Sequence, residues 1–244
     1  MHTYTSTDTV GELVAQRPAL ARVFENEGID YCCGGGKTLE EACRKKGIDV
    51  STLLTLLAEA ASSDENSDIV NVTGMNLTEL ADHIEQTHHA YLRTELPRLE
   101  GITQKVASVH GEKDARLAEV RDTFLTLAKE LSDHMMKEER ILFPMVRQLE
   151  AGDGTEAIHC GSLANPIRQM IMEHEQAGSV LERLRSLTDN HTVPDWACNT
   201  YRAMLDGLAQ FEHDLHQHIH KENNVLFPKA VEMEERTGTV QSQQ

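Results

Sequence analysis

Residues 134–144 read HMMKEERILFP and residues 218–228 read HIHKENNVLFP. The shared pattern, H-x-x-K-E-x-x-(I/V)-L-F-P, sets a histidine and a glutamate four residues apart each time. On a helix such residues lie one above the other on the same face, so His134 and Glu138 project together, as do His218 and Glu222. Their stripes are otherwise apolar. Phe124, Leu127 and Leu131 lead into His134, and Leu208, Phe211 and Leu215 lead into His218. An imidazole and a carboxylate aimed into an apolar interior are costly to bury without partners. A shared metal site would explain them. Two helices giving His-plus-carboxylate pairs, with further ligands from two others, is how a bundle holds two iron or manganese ions. Imidazole and carboxylate together suit iron better than a soft thiolate site would.

Further ligands are available. His174 lies on a stripe with Ile167, Ile171 and Leu181, and the first long helix offers His88 and His89. The stripe Leu77, Leu80, Ala81, Ile84, Leu92 sets His88 nearer its centre and His89 toward its edge. The arrangement reads as a duplicated helical hairpin, each half bringing a histidine from its first helix and His-x-x-x-Glu from its second. The competing explanation is a duplicated structural hairpin whose polar residues bond to one another.

The elements that must carry these residues are long amphipathic helices. They are expected over about 76–98, where Pro97 bends or ends the helix, then 114–149, 165–189 with Asn165-Pro166 at its start, and 194–236 opened by Pro194. Four such helices make an antiparallel four-helix bundle the economical fold. Before it, capping-box spacings at Thr9/Glu12 and Thr38/Glu41, Pro18 with Gly28, and a leucine-rich run after Asp49 indicate short helices. The expected organisation is an all-α chain: a small helical domain over 1–60, a polar linker over 61–75, and the bundle over 76–244.

The loop DYCCGGGKTLEEAC (30–43) sits between short helices. Thiols close to a helix N-terminus tend toward thiolate, with Lys37 reinforcing the trend. The alternative is a tight turn in which Cys32 and Cys33 merely pack. Cys43, Cys160 and Cys198 have no partner at metal-ligand spacing and read as bystanders. His83, His110, His159, His191, His213, His216 and His220 fall on polar faces or in loops. Adjacent cysteines close a disulfide only through a strained ring, and the count of five is odd. With no basic leader or bilayer-length apolar run, a cytoplasmic protein is expected. The net charge of −17 repels nucleic acid and anionic membranes, so neither is an expected partner.

With DYCCGG, HMMKEE-x-ILFP, the MEHEQAG segment and HI-x-x-ENNVLFP in view, the chain resembles the repair-of-iron-centres family along nearly its whole length. These are hemerythrin-like di-iron proteins with a short N-terminal cysteine domain. The resemblance implies ligands at His89, His134, His174 and His218, with Glu138 and Glu222 as bridging carboxylates of a centre of two non-haem iron ions. Its choice of His89 runs against the stripe, which prefers His88. Glu130 and Glu173 match acidic positions tied to a passage toward the metals; the competing reading is ordinary helix surface or hydrogen-bond partners of the ligands. Cys32 and Cys33 match residues that meet small molecules or iron in transit.

The expected function is therefore repair of iron–sulfur clusters damaged by oxidative or nitrosative stress, through iron donation or nitrogen-oxide processing. The expected partners are damaged iron–sulfur proteins and small molecules such as nitric oxide. Family members suggest a homodimer. The other readings are a hemerythrin-like carrier or sensor of dioxygen or nitric oxide, and a nitric-oxide reductase.

Overall fold

A computed structural model describes residues 4–62, 70–152 and 162–241. Among them the architecture is all-α, with one isolated bridge between Thr9 and Thr38 and no strand. Cys160, His159 and residues 63–69 of the expected linker lie outside the described residues. No helix among the described residues is long and apolar enough to cross a membrane. The chain divides into two compact units, Met1–Leu80 with Gln217–Gln244, and Ala81–His216.

In the first unit, α1 (Val10–Gln16), α2 (Ala21–Asn26), α3 (Leu39–Lys46) and α4 (Val50–Ser62) follow the short-helix signals. Pro18 opens a single 3-10 turn before α2, and Gly28 after it adopts φ +64°, which favours a residue without Cβ. Thr38 caps α3 through a complete capping box with Glu41. Thr9 instead gives its hydroxyl to the Glu12 carboxylate, so α1 has no side-chain cap on its backbone. The core is Val10, Phe24, Leu39, Leu53 and Leu57, all fully buried.

The long helices are α5 (Leu77–Ile84), α6 (Ala90–His110), α7 (Arg116–Lys137), α8 (Phe143–Ala151), α9 (Ala164–Leu187), α10 (Asn199–Lys221) and α11 (Phe227–Gln241). Asn76 and Glu79 exchange backbone and side-chain bonds to start α5. In the second unit α6 packs along α7, and α7 along α9. Pro97 neither ends α6 nor breaks it. It removes one backbone donor, but Leu99, Thr103, Val106 and Ala107 continue the buried face to His110. Pro194 does not open α10; it closes a turn by accepting from the Ala197 N–H, and the helix begins at Asn199.

Three segments depart from the α-helical period. Glu85–His89, Glu138–Leu142 and Glu222–Leu226 are π-turns joining α5 to α6, α7 to α8, and α10 to α11. A π-turn fits one extra residue into a turn and rotates everything after it. Each of the three begins or ends on a residue singled out as a ligand, namely His89, Glu138 or Glu222.

Candidate metal centre

In the second unit, His89, His134, Glu138 and His174 are buried, with at most 3 % of any of them exposed. Glu138 accepts close approaches from two imidazoles, His89 Nε2 at 3.3 Å and His134 Nε2 at 3.1 Å. His134, Glu138 and His174 each offer a donor atom within 4.8 Å of the others, as do His89 and Glu138. Phe143, from the repeated L-F-P, stacks on the His89 ring with centroids 5.7 Å apart.

The outer nitrogens are held by carboxylates. His89 Nδ1 lies 2.7 Å from Glu139 Oε1, which also bonds Arg93, and His134 Nδ1 lies 2.8 Å from Glu173 Oε2. The hydrogen bond from His134, joined by those from Lys137 and Gln169, keeps Glu173 well below the usual carboxylate range despite its partial burial. An ionised carboxylate can only accept, so His134 donates from Nδ1. In the neutral ring Nε2 then carries a lone pair aimed at the interior. Carboxylates on the outer nitrogens of histidines are the usual support of metal-binding imidazoles. The donor set therefore fits a hard-to-intermediate divalent metal such as iron.

In the first unit the second copy repeats the local geometry. His218 Nε2 lies 3.2 Å from Glu222 Oε1, both residues are buried, and Glu222 again begins the π-turn.

His88 and His89 are both buried, but they face different partners. His89 approaches Glu138, whereas His88 Nδ1 bonds Asp214 at 2.9 Å. The apolar stripe pointed to His88 because it assumed an unbroken α-period. The π-turn puts His89, five residues after Ile84, onto the inward face.

Glu130 is exposed and lines a cleft of about 270 Å³ with Asp133, His134, Lys137, Glu173 and His174. Cys32 is buried and Cys33 half-buried, with their sulfurs 3.8 Å apart. The Asp30 carboxylate accepts from both backbone N–H groups, at 3.1 and 2.9 Å, and from the Cys32 thiol. The expected drift toward thiolate does not occur at Cys32. Its hydrogen bond with Cys33, then burial, push its thiol up instead. His220, expected on a polar face, is buried and meets the Tyr31 carbonyl and ring. Asp30, Glu139, Lys137 and the Asn223-Asn224 pair escaped the sequence reading as well. For Glu139 a signal existed, since it follows the repeated glutamate directly.

Residues 80–230 match the hemerythrin HHE cation binding domain, well over half of the chain. Residues 6–61 match a domain of unknown function, DUF542. The class is thus a hemerythrin-like, cation-binding helical bundle with a small helical domain before it. The iron-sulfur cluster repair protein YtfE of Musicola paradisiaca is 40% identical over 223 residues, covering 91% of this chain and 96% of its own length. Its namesakes from Enterobacter sp. (strain 638) and Escherichia coli O157:H7 are 40% and 39% identical with the same coverage. The chain belongs to this family of hemerythrin-like iron–sulfur cluster repair proteins.

Proposed function

We propose that the chain is a di-iron protein that repairs iron–sulfur clusters damaged by oxidative and nitrosative stress. The observation that carries the reading is a buried glutamate, Glu138, approached by two imidazoles whose outer nitrogens are held by Glu139 and Glu173. The proposed ligands are His89, His134, Glu138, His174, His218 and Glu222. They would hold two non-haem iron ions per chain, with Glu138 and Glu222 as bridges. The family membership and the doubled His-x-x-x-Glu motif support that set.

Iron in such a site supplies Lewis acidity and one-electron redox chemistry. Six protein ligands shared by two metals would leave room for a small ligand such as nitric oxide. Glu139 and Glu173 orient the histidines, and Glu173 with Glu130 lines the approach from solvent. Cys32 and Cys33 receive iron or small molecules in transit. The clients are damaged iron–sulfur proteins of the cytoplasm, met by a homodimer.

The test is anaerobic metal analysis with Mössbauer spectroscopy on the wild type and on Glu138→Ala with Glu222→Ala, followed by reactivation of a nitric-oxide-damaged iron–sulfur enzyme. Two coupled irons per chain, lost in the double variant along with reactivation, are expected. A folded chain that takes up no iron, or one zinc, would overturn the proposal. Turnover of nitric oxide to nitrous oxide without reactivation would make it a reductase instead.

A further inference from the structure

The two copies of the repeated motif agree at every shared position yet diverge directly after the glutamate, Glu139-Arg140 in the first and Asn223-Asn224 in the second. In the first copy Glu139 serves His89 and Arg140 is exposed. In the second copy the same positions meet the cysteine loop, entirely within the first unit. Asn224 Nδ2 donates to the Cys32 carbonyl at 2.9 Å, and Asn223 Nδ2 reaches that carbonyl at 3.4 Å. Asn224 Nδ2 also lies 3.2 Å from His220 Nδ1 and 3.4 Å from the Tyr31 carbonyl.

The other end of the Asn224 amide is enclosed by glycines. A Cβ on Gly11 would stand 2.3 Å from its Oδ1, and one on Gly35 2.2 Å from it. These two glycines are themselves joined, since the Gly11 N–H donates to the Gly35 carbonyl at 2.8 Å. One side chain therefore registers three pieces of chain at once: α1, the cysteine loop and the π-turn that begins on Glu222. The arginine of the first copy could not occupy that slot. Two glycines of this region thus acquire a reason that loop flexibility alone does not give.

We propose that Asn224 is a positioning residue that couples the Cys32–Cys33 pair to Glu222, so that a thiophilic ligand on the pair and iron at Glu222 affect one another. The inference rests on the reading of Glu222 as an iron ligand. A ligand bridging both sulfurs, already 3.8 Å apart, removes the proton that Cys32 donates to Asp30 and so releases one hold on the loop. Asn224, bonded to the Cys32 carbonyl, carries the resulting displacement into the turn two residues after the carboxylate. Linkage between binding equilibria is reciprocal, so iron must resist the thiophile by the factor with which the thiophile resists iron.

The experiment uses the full chain and phenylarsine oxide, which forms two As–S bonds with a dithiol and releases one water. In metal-free protein, loss of the Asn224 amide speeds alkylation of Cys32 about tenfold in Asn224→Ala, the effect of one buried hydrogen bond. Asn224→Asp, which keeps the shape but not the donor, does the same. In iron-loaded protein, phenylarsine oxide weakens wild-type iron binding against a competing chelator and changes the Mössbauer spectrum, while Asn224→Ala binds the arsenical with no change in iron. Gly35→Ala, which displaces the amide without removing it, matches Asn224→Ala. A Cys32→Ser with Cys33→Ser variant shows which effects come from this pair rather than the other cysteines. Unchanged Cys32 alkylation in both Asn224 variants overturns the coupling, as does an arsenical effect on iron that survives in them. A wild type that takes up no iron removes Glu222 as a ligand and with it the coupling, while the alkylation rates still report how the loop is seated.

Discussion

His134 and His174 bring their Nε2 atoms to 3.0 Å of one another, while His134 Nδ1 is held by Glu173 on the opposite edge of the ring. Glu173 thereby sets which nitrogen of His134 faces inward, although it is neighbour in sequence to His174 rather than to His134. The Glu173→Gln variant keeps the shape and loses the charge. Its iron affinity falls roughly 10–100-fold, measured by chelator competition. Glu130→Gln lies further out, exposed and 3.5 Å from the Gln176 amide. It slows iron uptake and leaves the final affinity unchanged. Equal affinities for wild type and Glu173→Gln would remove Glu173 as the support of His134.

Iron should also be a folding ligand. The Glu138 carboxylate is fully buried, and burying a carboxylate is costly until a cation meets it. Free iron(II) at a hundred times its dissociation constant adds about 2.7 kcal/mol to stability. For a chain of this size that raises the melting temperature by roughly 5–10 °C. In Glu138→Gln the gain disappears, while the metal-free melting temperature equals or exceeds that of the wild type. Differential scanning calorimetry under nitrogen, with and without iron, separates these outcomes.

The two copies of the motif were legible because helical period alone puts His134 over Glu138 and His218 over Glu222, and the apolar residues leading in fix which face they share. The choice between His88 and His89 was not, because the extra residue of the first π-turn leaves no mark in an apolar stripe. Family resemblance pointed to His89, which is the one beside Glu138. His220 was misread for another reason. Its helix face is polar by sequence, and it becomes buried only where Tyr31 and the cysteine loop cover it. Burial supplied by a distant segment is invisible to local periodicity. For Cys32, its hydrogen bond with Cys33, then burial, reversed the direction expected for the thiol.

The helix that follows the cysteine loop offers a local stability test. Thr38 accepts from the Glu41 N–H at 3.2 Å, and the Glu41 carboxylate accepts from the Thr38 N–H at 3.0 Å. Thr38→Ala removes one arm of this box and costs about 1 kcal/mol, read as a lower urea midpoint with an unchanged slope. Thr9→Ala, whose hydroxyl bonds the Glu12 carboxylate rather than a backbone N–H of α1, costs less. Equal losses at the two threonines would mean that the cap itself contributes little.

Cys198, which has no partner at metal-ligand spacing, sits in an environment that favours ionisation. It is exposed at the start of α10, and its sulfur lies 3.1 Å from His110 Nε2. The Tyr201 backbone N–H, then His110, bring its thiol down to about 7. Folding therefore favours the thiolate. Near pH 7 about half of Cys198 is ionised, and the fraction falls as the pH drops below that point and approaches completion a unit or more above it. Cys43 moves the other way, because burial pushes its thiol up. Iodoacetamide alkylation followed by peptide mass spectrometry should show Cys198 modified before Cys43, with a rate midpoint near pH 7. His110→Ala should raise that midpoint yet leave it below that of an ordinary thiol, since the larger contribution, the Tyr201 N–H, remains. A midpoint at the ordinary value in the wild type would mean that neither donor reaches the sulfur in solution.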